Sequence, residues 1–207
     1  MTTGYFVTGT DTGIGKTTVS CALLRAFAAQ GKSVIGMKPI AAGRENGQWM
    51  DVERLLAASN VVVSRQHVNP YAFDPSISPH IAAQQMGAGI DLTVIHQAYR
   101  ELCKHAEVVI VEGAGGFLVP VNNDQTGADL AQVLNLPVIL VVGVRLGCLN
   151  HALLTAQAIR VAGLTLAGWV ANGIDPGMMA VAENIDTLKK RMLCPLLGIL
   201  PFCEETD

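Results

Sequence analysis

Two apolar runs limit the folds open to this chain more than any other feature. They are VVIVEG at residues 108–113 and VILVVG at residues 138–143. Apolar residues at consecutive positions are typical of central strands in a parallel sheet that helices cover on both sides. With these two, the sequence predicts six strands: Gly4–Thr8, Ser33–Met37, Glu107–Glu112, Val138–Gly143, Leu166–Ala171 and Leu196–Leu200.

Segments with helical periodicity lie between the predicted strands. One spans Lys16–Gln30, and others are predicted to open at Asp91, at Asn150 as an N-cap, and at Asp175. Strands that alternate with helices predict an α/β fold with right-handed crossovers. We expect a P-loop NTPase-type parallel sheet with helices on both faces, in a single domain over residues 1–207. Two loops are predicted, Ala41–Met50 and Asn69–Pro79.

Charge and cysteine content exclude several classes of protein. The net charge is −3, and no basic run is present, which argues against nucleic acid or an anionic membrane as a partner. The five cysteines are scattered without a C-x-x-C pair, so we expect reduced thiols rather than disulfides or a zinc site. The start of the chain lacks signal-peptide features, and no apolar stretch reaches the ~20 residues that span a bilayer. We therefore expect a cytoplasmic protein.

The stretch TGTDTGIGKTT follows the first predicted strand and leads into the first helix. A strict G-x-x-x-x-G-K-[ST] pattern needs glycine at position 10, where Thr10 stands, and Gly9 comes one residue early. Strand before and helix after favour a phosphate-binding loop of unusual length over a plain glycine-rich turn. In such a loop Lys16 neutralises terminal phosphates and the Thr17 hydroxyl binds magnesium.

Three further charged residues follow or flank predicted elements. Lys38 ends a strand near the loop and is predicted either to hold an anion during reaction or to be a solvated lysine. Asp51 is predicted to be a helix N-cap, with a metal ligand as the alternative. Glu112 ends a buried strand ahead of a glycine-rich stretch, which favours a magnesium ligand over a structural salt bridge.

Seven motifs occur in order along nearly the whole chain: GTDTGIGKT, MKPIAAG, VNPYAF, SPHIAA, VEGAGG, LPVILVVGVRLGCLNHALLTAQAI and GWVAN. On these the chain resembles the dethiobiotin synthetases of biotin biosynthesis, which use the longer phosphate loop. The resemblance implies ATP-dependent ring closure, the penultimate step of that pathway. Diaminopelargonic acid takes up CO2 as a carbamate, ATP phosphorylates it, and the second amine closes the cyclic urea. It also implies a homodimer with a composite active site.

The resemblance further assigns roles to individual residues. Catalytic roles fall to Lys38, Lys16 and Thr12, and magnesium ligation to Thr17, Asp51 and Glu112. Substrate contacts fall to Lys38 and Ala42, and, from the second subunit, to Gly147, Cys148, Leu149 and Asn150. The nucleotide is implied to contact Gly13, Ile14, Gly15, Lys16, Thr17, Thr18, Asp51, Glu112, Gly113, Ala114, Gly115, Asn172, Gly173, Pro201, Phe202 and Cys203.

The sequence departs from the family at two site positions. Many members carry glutamate at the place of Gly13, and some carry serine or threonine at the place of Ala42, so those side-chain contacts are lost here. Relatives also continue beyond LPFCEETD into a further helix, which puts part of the nucleotide wall in question. The alternative function is a partition- or septum-type switch ATPase. That class carries K-G-G in its loop, where this chain has Thr10, Asp11 and Thr12.

Overall fold

The computed structural model describes residues 2–203, which form eight strands and eight helices. The strands are β1 Thr3–Gly9, β2 Val34–Met37, β3 Ile40–Ala42, β4 Tyr71–Phe73, β5 Val108–Gly116, β6 Val138–Val144, β7 Leu166–Gly173 and β8 Leu196–Leu200. The helices are α1 Lys16–Ala29, α2 Met50–Ala58, α3 Arg65–Val68, α4 Pro79–Gln85, α5 Leu92–Leu102, α6 Gly127–Leu134, α7 Cys148–Val161 and α8 Val181–Arg191.

The main sheet is parallel and has the order β2-β5-β1-β6-β7-β8. The six strands predicted from the sequence are its six members, so the predicted fold class is confirmed. The strand β1, which leads into the glycine-rich loop, lies between β5 and β6. Parallel strands present their carboxyl ends at one edge, where ligands bind in such sheets. The order therefore places the segments after β2 and β5 beside the loop after β1.

Both faces of the central strands are buried, as the apolar runs predict. Along β1, Phe6 belongs to one hydrophobic cluster and Val7 to the other, and both are fully buried. Successive side chains of a strand point to opposite faces, which explains the alternation. Val19 and Leu24 of α1 cover the face that contains Val7, and Ile95 of α5 covers the opposite face.

A small second sheet corrects the prediction of two long loops. The strand β3 overlaps the start of the segment predicted as the loop Ala41–Met50, and β4 lies within Asn69–Pro79; the two pair in parallel, with Ile40 opposite Tyr71. The Trp49 indole nitrogen donates a hydrogen bond to the Phe73 carbonyl at 3.0 Å and ties the first segment to the second. Three-residue strands give too short a periodic signal to be recognised from sequence.

Three predicted helix starts are wrong. Asn150 lies inside α7, whose N-cap is Gly147 with φ 95°. Asp51 lies in the first turn of α2, which follows Trp49, and does not cap it. The helix predicted from Asp175 begins at Val181, after Ala180 with φ 54°. In all three cases a residue without a capping side chain precedes the helix, so the usual polar signal is missing.

Two further predictions concern membrane-spanning segments and the cysteines. No helix within the described residues is long and apolar enough to cross a membrane. The five cysteines are free thiols, as predicted. Residues 1 and 204–207, including the C-terminal part of LPFCEETD, lie outside the described residues.

Candidate active site

The loop after β1 has the backbone of an anion-binding turn. Gly13 and Gly15 adopt left-handed φ values of 71° and 83°. A Cβ on Gly15 would lie 2.2 Å from the Asn172 side-chain nitrogen, so only glycine fits there. No side chain caps the start of α1 at Lys16. Its first N–H groups and positive dipole end therefore point into the loop, where they suit a phosphate group.

Neighbouring strands hold this loop in place. The Thr10 amide donates to the Val141 carbonyl at 3.0 Å. The Asn172 amide nitrogen donates to the Ile14 carbonyl at 2.8 Å. The Asp11 carboxylate forms an ion pair with the Arg145 guanidinium at 2.5 Å. Contacts from β6, β7 and the segment after β6 thus fix the loop before any nucleotide arrives.

Charged side chains from three elements converge beside the loop. The Lys38 ammonium, after β2, lies 2.5 Å from Glu112 Oε1 and 2.8 Å from Asp51 Oδ2. The Thr17 hydroxyl lies 2.9 Å from Glu112 Oε1 and 2.9 Å from Asp51 Oδ1. Lys38 is 4% exposed and Glu112 is 1% exposed. The interpretation of Lys38 as a solvated lysine is therefore wrong, and Glu112 does form a buried salt bridge.

The electrostatics of this cluster favour the charged forms of Lys38 and Asp51. Burial alone would lower the pKa of Lys38, but the Glu112 and Asp51 carboxylates raise it overall. Burial alone would raise the pKa of Asp51, but Lys38 lowers it overall. Burial, assisted by the Lys38 ammonium, lowers the pKa of Lys16 to about 8. The Lys16 ammonium donates to the Asp11 carbonyl at 2.8 Å, which keeps it at the mouth of the loop.

The oxygen atoms of the cluster fit a magnesium ion. Glu112 Oε2 is buried and has no hydrogen-bond partner, which is costly for a carboxylate unless a ligand completes it. Two carboxylates and a hydroxyl are a hard oxygen donor set of the kind that Mg²⁺ prefers, with phosphate and water as the other ligands. Among residues 2–203 no group of three or more His, Cys, Asp or Glu side chains is placed to hold a metal.

A cleft of about 580 Å³ opens over the cluster. Twelve of the residues assigned from the sequence line it: Thr12, Gly13, Gly15, Lys16, Thr17, Thr18, Lys38, Ala42, Asp51, Glu112, Ala114 and Gly115. A Cβ at Gly13 would meet nothing within 4 Å, so a side chain has space there, but its φ of 71° is strained for a residue other than glycine.

Other assigned residues lie away from this cleft. Ile14 is buried in the core at 1% exposure, so only its backbone faces the loop. The Gly113 carbonyl lies 3.5 Å from the Lys38 ammonium. Asn172 and Gly173 end β7 beside Phe202, on the far side of the loop. The cleft's lining residues also do not include 147–150 at the start of α7.

The sequence assignment missed part of the cleft wall. Besides Ile40, Arg54 and Val119, the segment Ser76–Pro79 lines it. This segment leads into α4 and carries the start of the SPHIAA motif. The motif was therefore a signal for this wall, although none of the segment's side chains is one that predicts a catalytic or metal-binding role.

The sheet order and the loop after β1 together define a phosphate-loop nucleotide-binding protein of the α/β class. A family model described as an AAA domain matches residues 3–207. An ATP-dependent dethiobiotin synthetase BioD of Nitrosospira multiformis is 63% identical over 207 residues, covering 100% of this chain and 92% of the relative. One of Aromatoleum aromaticum is 51% identical, covering 98% and 92%. The chain therefore belongs to the dethiobiotin synthetase family.

A solved structure shares the fold at low identity. The ParA family ATPase of Chlorobium tepidum has a TM-score of 0.61 and 14% sequence identity, with coverage of 99% of this chain and 87% of that one. At that identity the similarity concerns the fold alone. It therefore gives no support to the partition-type switch as an alternative function.

Proposed function

We propose that this chain, with residues 1–207 acting as one catalytic domain, converts 7,8-diaminopelargonic acid, CO2 and ATP into dethiobiotin, ADP and phosphate. The observation that carries this proposal is the convergence of the family's signature residues in one cleft. Lys16 and Thr17 of the loop, Lys38 after β2, and the carboxylates of Asp51 and Glu112 all meet there. This arrangement suits a reaction in which an anion is formed and then phosphorylated.

The two lysines carry the proposed chemistry. CO2 adds to one amine of the substrate and forms a carbamate, whose oxygen takes the terminal phosphoryl group of ATP. The second amine then attacks the carbamoyl carbon, closes the ring and releases phosphate. Lys16 and the amides of the loop hold the phosphates, and Thr12 stands beside them. Lys38 stabilises the negative charge that develops on the carbamate and the transferring group, an electrostatic effect that is strong in a buried site.

We assign the magnesium site to Thr17, Asp51 and Glu112. When bound, Mg²⁺ supplies Lewis-acid stabilisation of the phosphate oxygens. The unpartnered Glu112 Oε2 and the convergence of three oxygens at Thr17 support this assignment. Asn172, Gly173 and the segment 201–203 are assigned to the nucleobase, because they lie beyond the loop from the charged cluster. Free thiols fit the cytoplasm, where we place the reaction.

The activity is tested by mass-spectrometric detection of dethiobiotin after incubation with the diamine, bicarbonate and Mg-ATP. ATP consumption should depend on both the diamine and bicarbonate. Lys32→Ala is the matched control for Lys38→Ala, because Lys32 pairs with Glu107 at an exposed position. Only the Lys38 variant should lose product. ATP turnover without diamine, and no dethiobiotin, would refute the proposal.

We further propose that a homodimer completes the active site. The start of α7 has no side-chain cap, so its N–H groups suit the carboxylate tail of the substrate. Within one chain, however, the start of α7 is not part of the cleft wall, because residues 147–150 do not line the cleft. Leu146 and Leu154 are 92% and 58% exposed, which gives this region an apolar surface for a second copy.

Subunit mixing tests the composite site. Lys38→Ala and Gly147→Val are both expected to be inactive alone, the second because valine is strained at φ 95°. Mixed, they should form heterodimers with one intact site and regain activity. The matched control mixes Lys38→Ala with Lys16→Ala, whose lesions lie on the same side of the site and should not complement. Verified subunit exchange without recovered activity would overturn the composite site.

A further inference from the structure

The proposed metal ligands already hold a cation that belongs to the chain. The Lys38 ammonium lies 2.5 Å from Glu112 Oε1 and 2.8 Å from Asp51 Oδ2. The Lys38 side chain is 5% exposed, and that of Glu112 is fully buried. The ammonium therefore bridges the two carboxylates and is buried together with that of Glu112, whereas the Asp51 side chain is 48% exposed and faces the cleft.

The oxygens that Lys38 contacts are those that a metal ion would need. Glu112 Oε1 faces both the Thr17 hydroxyl and the Lys38 ammonium, at 2.9 and 2.5 Å. A magnesium ion held by Thr17, Asp51 and Glu112 would bind oxygens at about 2.0–2.1 Å, in the same narrow space. Two cations on one carboxylate oxygen repel strongly where water is excluded. The ammonium and the metal ion therefore compete for the carboxylates.

We infer that Lys38 is an internal counter-cation for the magnesium ligands, and that metal–nucleotide binding displaces its ammonium into the cleft, where it becomes available to the anionic substrate. The inference rests on the proposed magnesium site and adds an order to the reaction. Lys38 cannot neutralise Glu112 and stabilise a carbamate at the same time. Loading of the metal with the nucleotide thus prepares the lysine for its catalytic role.

The alternative is that Lys38 and Glu112 form a permanent ion pair with a structural role only. In that case Lys38 would stay on Glu112 whether or not metal is bound, and its removal would only weaken the fold. Displacement makes a different prediction, because removal of a competitor strengthens metal binding. When Lys38 is replaced, the folded state should become less stable under either alternative. The affinity for the metal should rise only if Lys38 competes with the metal.

The test is calorimetric titration of Mg²⁺ into nucleotide-free protein. Lys38→Met should bind Mg²⁺ about tenfold more tightly than the wild type, or better, because a repelling charge has gone. Lys32→Met removes the same charge from an exposed pair and should leave the affinity unchanged. Equal affinities in wild type and Lys38→Met, or no binding by Lys38→Met, would overturn the inference.

A second measurement does not depend on folding of that variant. In ¹³C-lysine-labelled wild type, the Lys38 side-chain signal should shift and sharpen with Mg-ADP, and not with ADP in excess chelator. A signal that is the same in both states contradicts displacement. Failure of the metal assignment itself is distinguishable: Asp51→Asn would then bind Mg-ADP as tightly as the wild type.

Discussion

The two ends of the nucleotide site are built on different physical principles. We call the cluster of Lys16, Thr17, Lys38, Asp51 and Glu112 the charged end, and the group of Asn172, Gly173 and residues 201–203 the neutral end. At the charged end, the charged groups of Lys16, Lys38 and Glu112 are buried, and Lys38 pairs with Glu112 and with the half-exposed Asp51. At the neutral end, over β7 and β8, one amide supports the loop and Phe202 is 41% exposed.

This difference separates two tasks. Buried charges interact strongly because water does not screen them, so a small displacement at the charged end changes the energy of a reacting anion greatly. Neutral hydrogen bonds with partial exposure contribute roughly 0.5–1.5 kcal/mol each, which suits recognition of a ligand that must also leave. We therefore expect the chemistry at the charged end and nucleotide positioning at the neutral end.

The largest expected effect separates the two lysines within the charged end. Lys38→Ala should lower kcat roughly 10²–10³-fold without weakening ATP binding, since Lys38 acts on charge that develops during reaction. Lys16→Ala should weaken ATP binding and turnover together. Steady-state kinetics combined with nucleotide titration measures both quantities. If Lys38→Ala merely loosens ATP at an unchanged kcat, the lysine is a binding residue.

A smaller effect is expected from the metal ligands. Asp51→Asn should raise the magnesium concentration for half-maximal activity by roughly 10- to 150-fold, since a lost hydrogen bond or contact to a charged group costs about 1.5–3 kcal/mol. Glu112→Gln should do the same. Glu53→Gln is the matched control, because Glu53 lies on the same helix and pairs with Arg65 at an exposed surface. A magnesium titration that is identical for Asp51→Asn and the wild type would remove Asp51 from the metal site.

The smallest effect is expected at the neutral end. Asn172→Ala removes the hydrogen bond to the Ile14 carbonyl and should weaken ATP binding about 2- to 10-fold, with the magnesium dependence unchanged. Asn184→Ala is the control, since it removes a similar side-chain to backbone bond on α8. If Asn172→Ala alters the magnesium requirement and leaves ATP binding unchanged, the proposed division of roles between the two ends is wrong.

The main sheet was predictable because its signals are local. Runs such as residues 138–143 have no polar face, and the Lys16 helix follows its strand directly, so period and order suffice. The pair β3–β4 was missed because each strand has three residues and neither has a periodic pattern. The starts of α2 and α7 were misplaced because Trp49 and Gly147 precede them, where a capping side chain was expected.

The site was predictable in its members but not in their contacts. Thr17 was selected because it belongs to the phosphate-loop motif, and Lys38 and Glu112 because they stand at the ends of predicted strands. The strand order then brings the three together. That Lys38 lies between two carboxylates follows from side-chain packing across three elements, which no sequence pattern encodes. The segment Ser76–Pro79 was missed because it has no ionisable side chain and contributes only to the shape of the cleft.

The position of β1 in the sheet has a consequence for how the protein is made. Thr3 pairs with Val108 and Phe6 with Val138, so β1 waits during synthesis for partners that lie much later in the chain. Such distant pairings are slow, because a long loop must close before contacts stabilise it. The phosphate loop gains its anchors at Val141 and Asn172 later still. Nucleotide binding is therefore one of the last properties that the growing polypeptide acquires, and it reports that nearly the whole chain has folded.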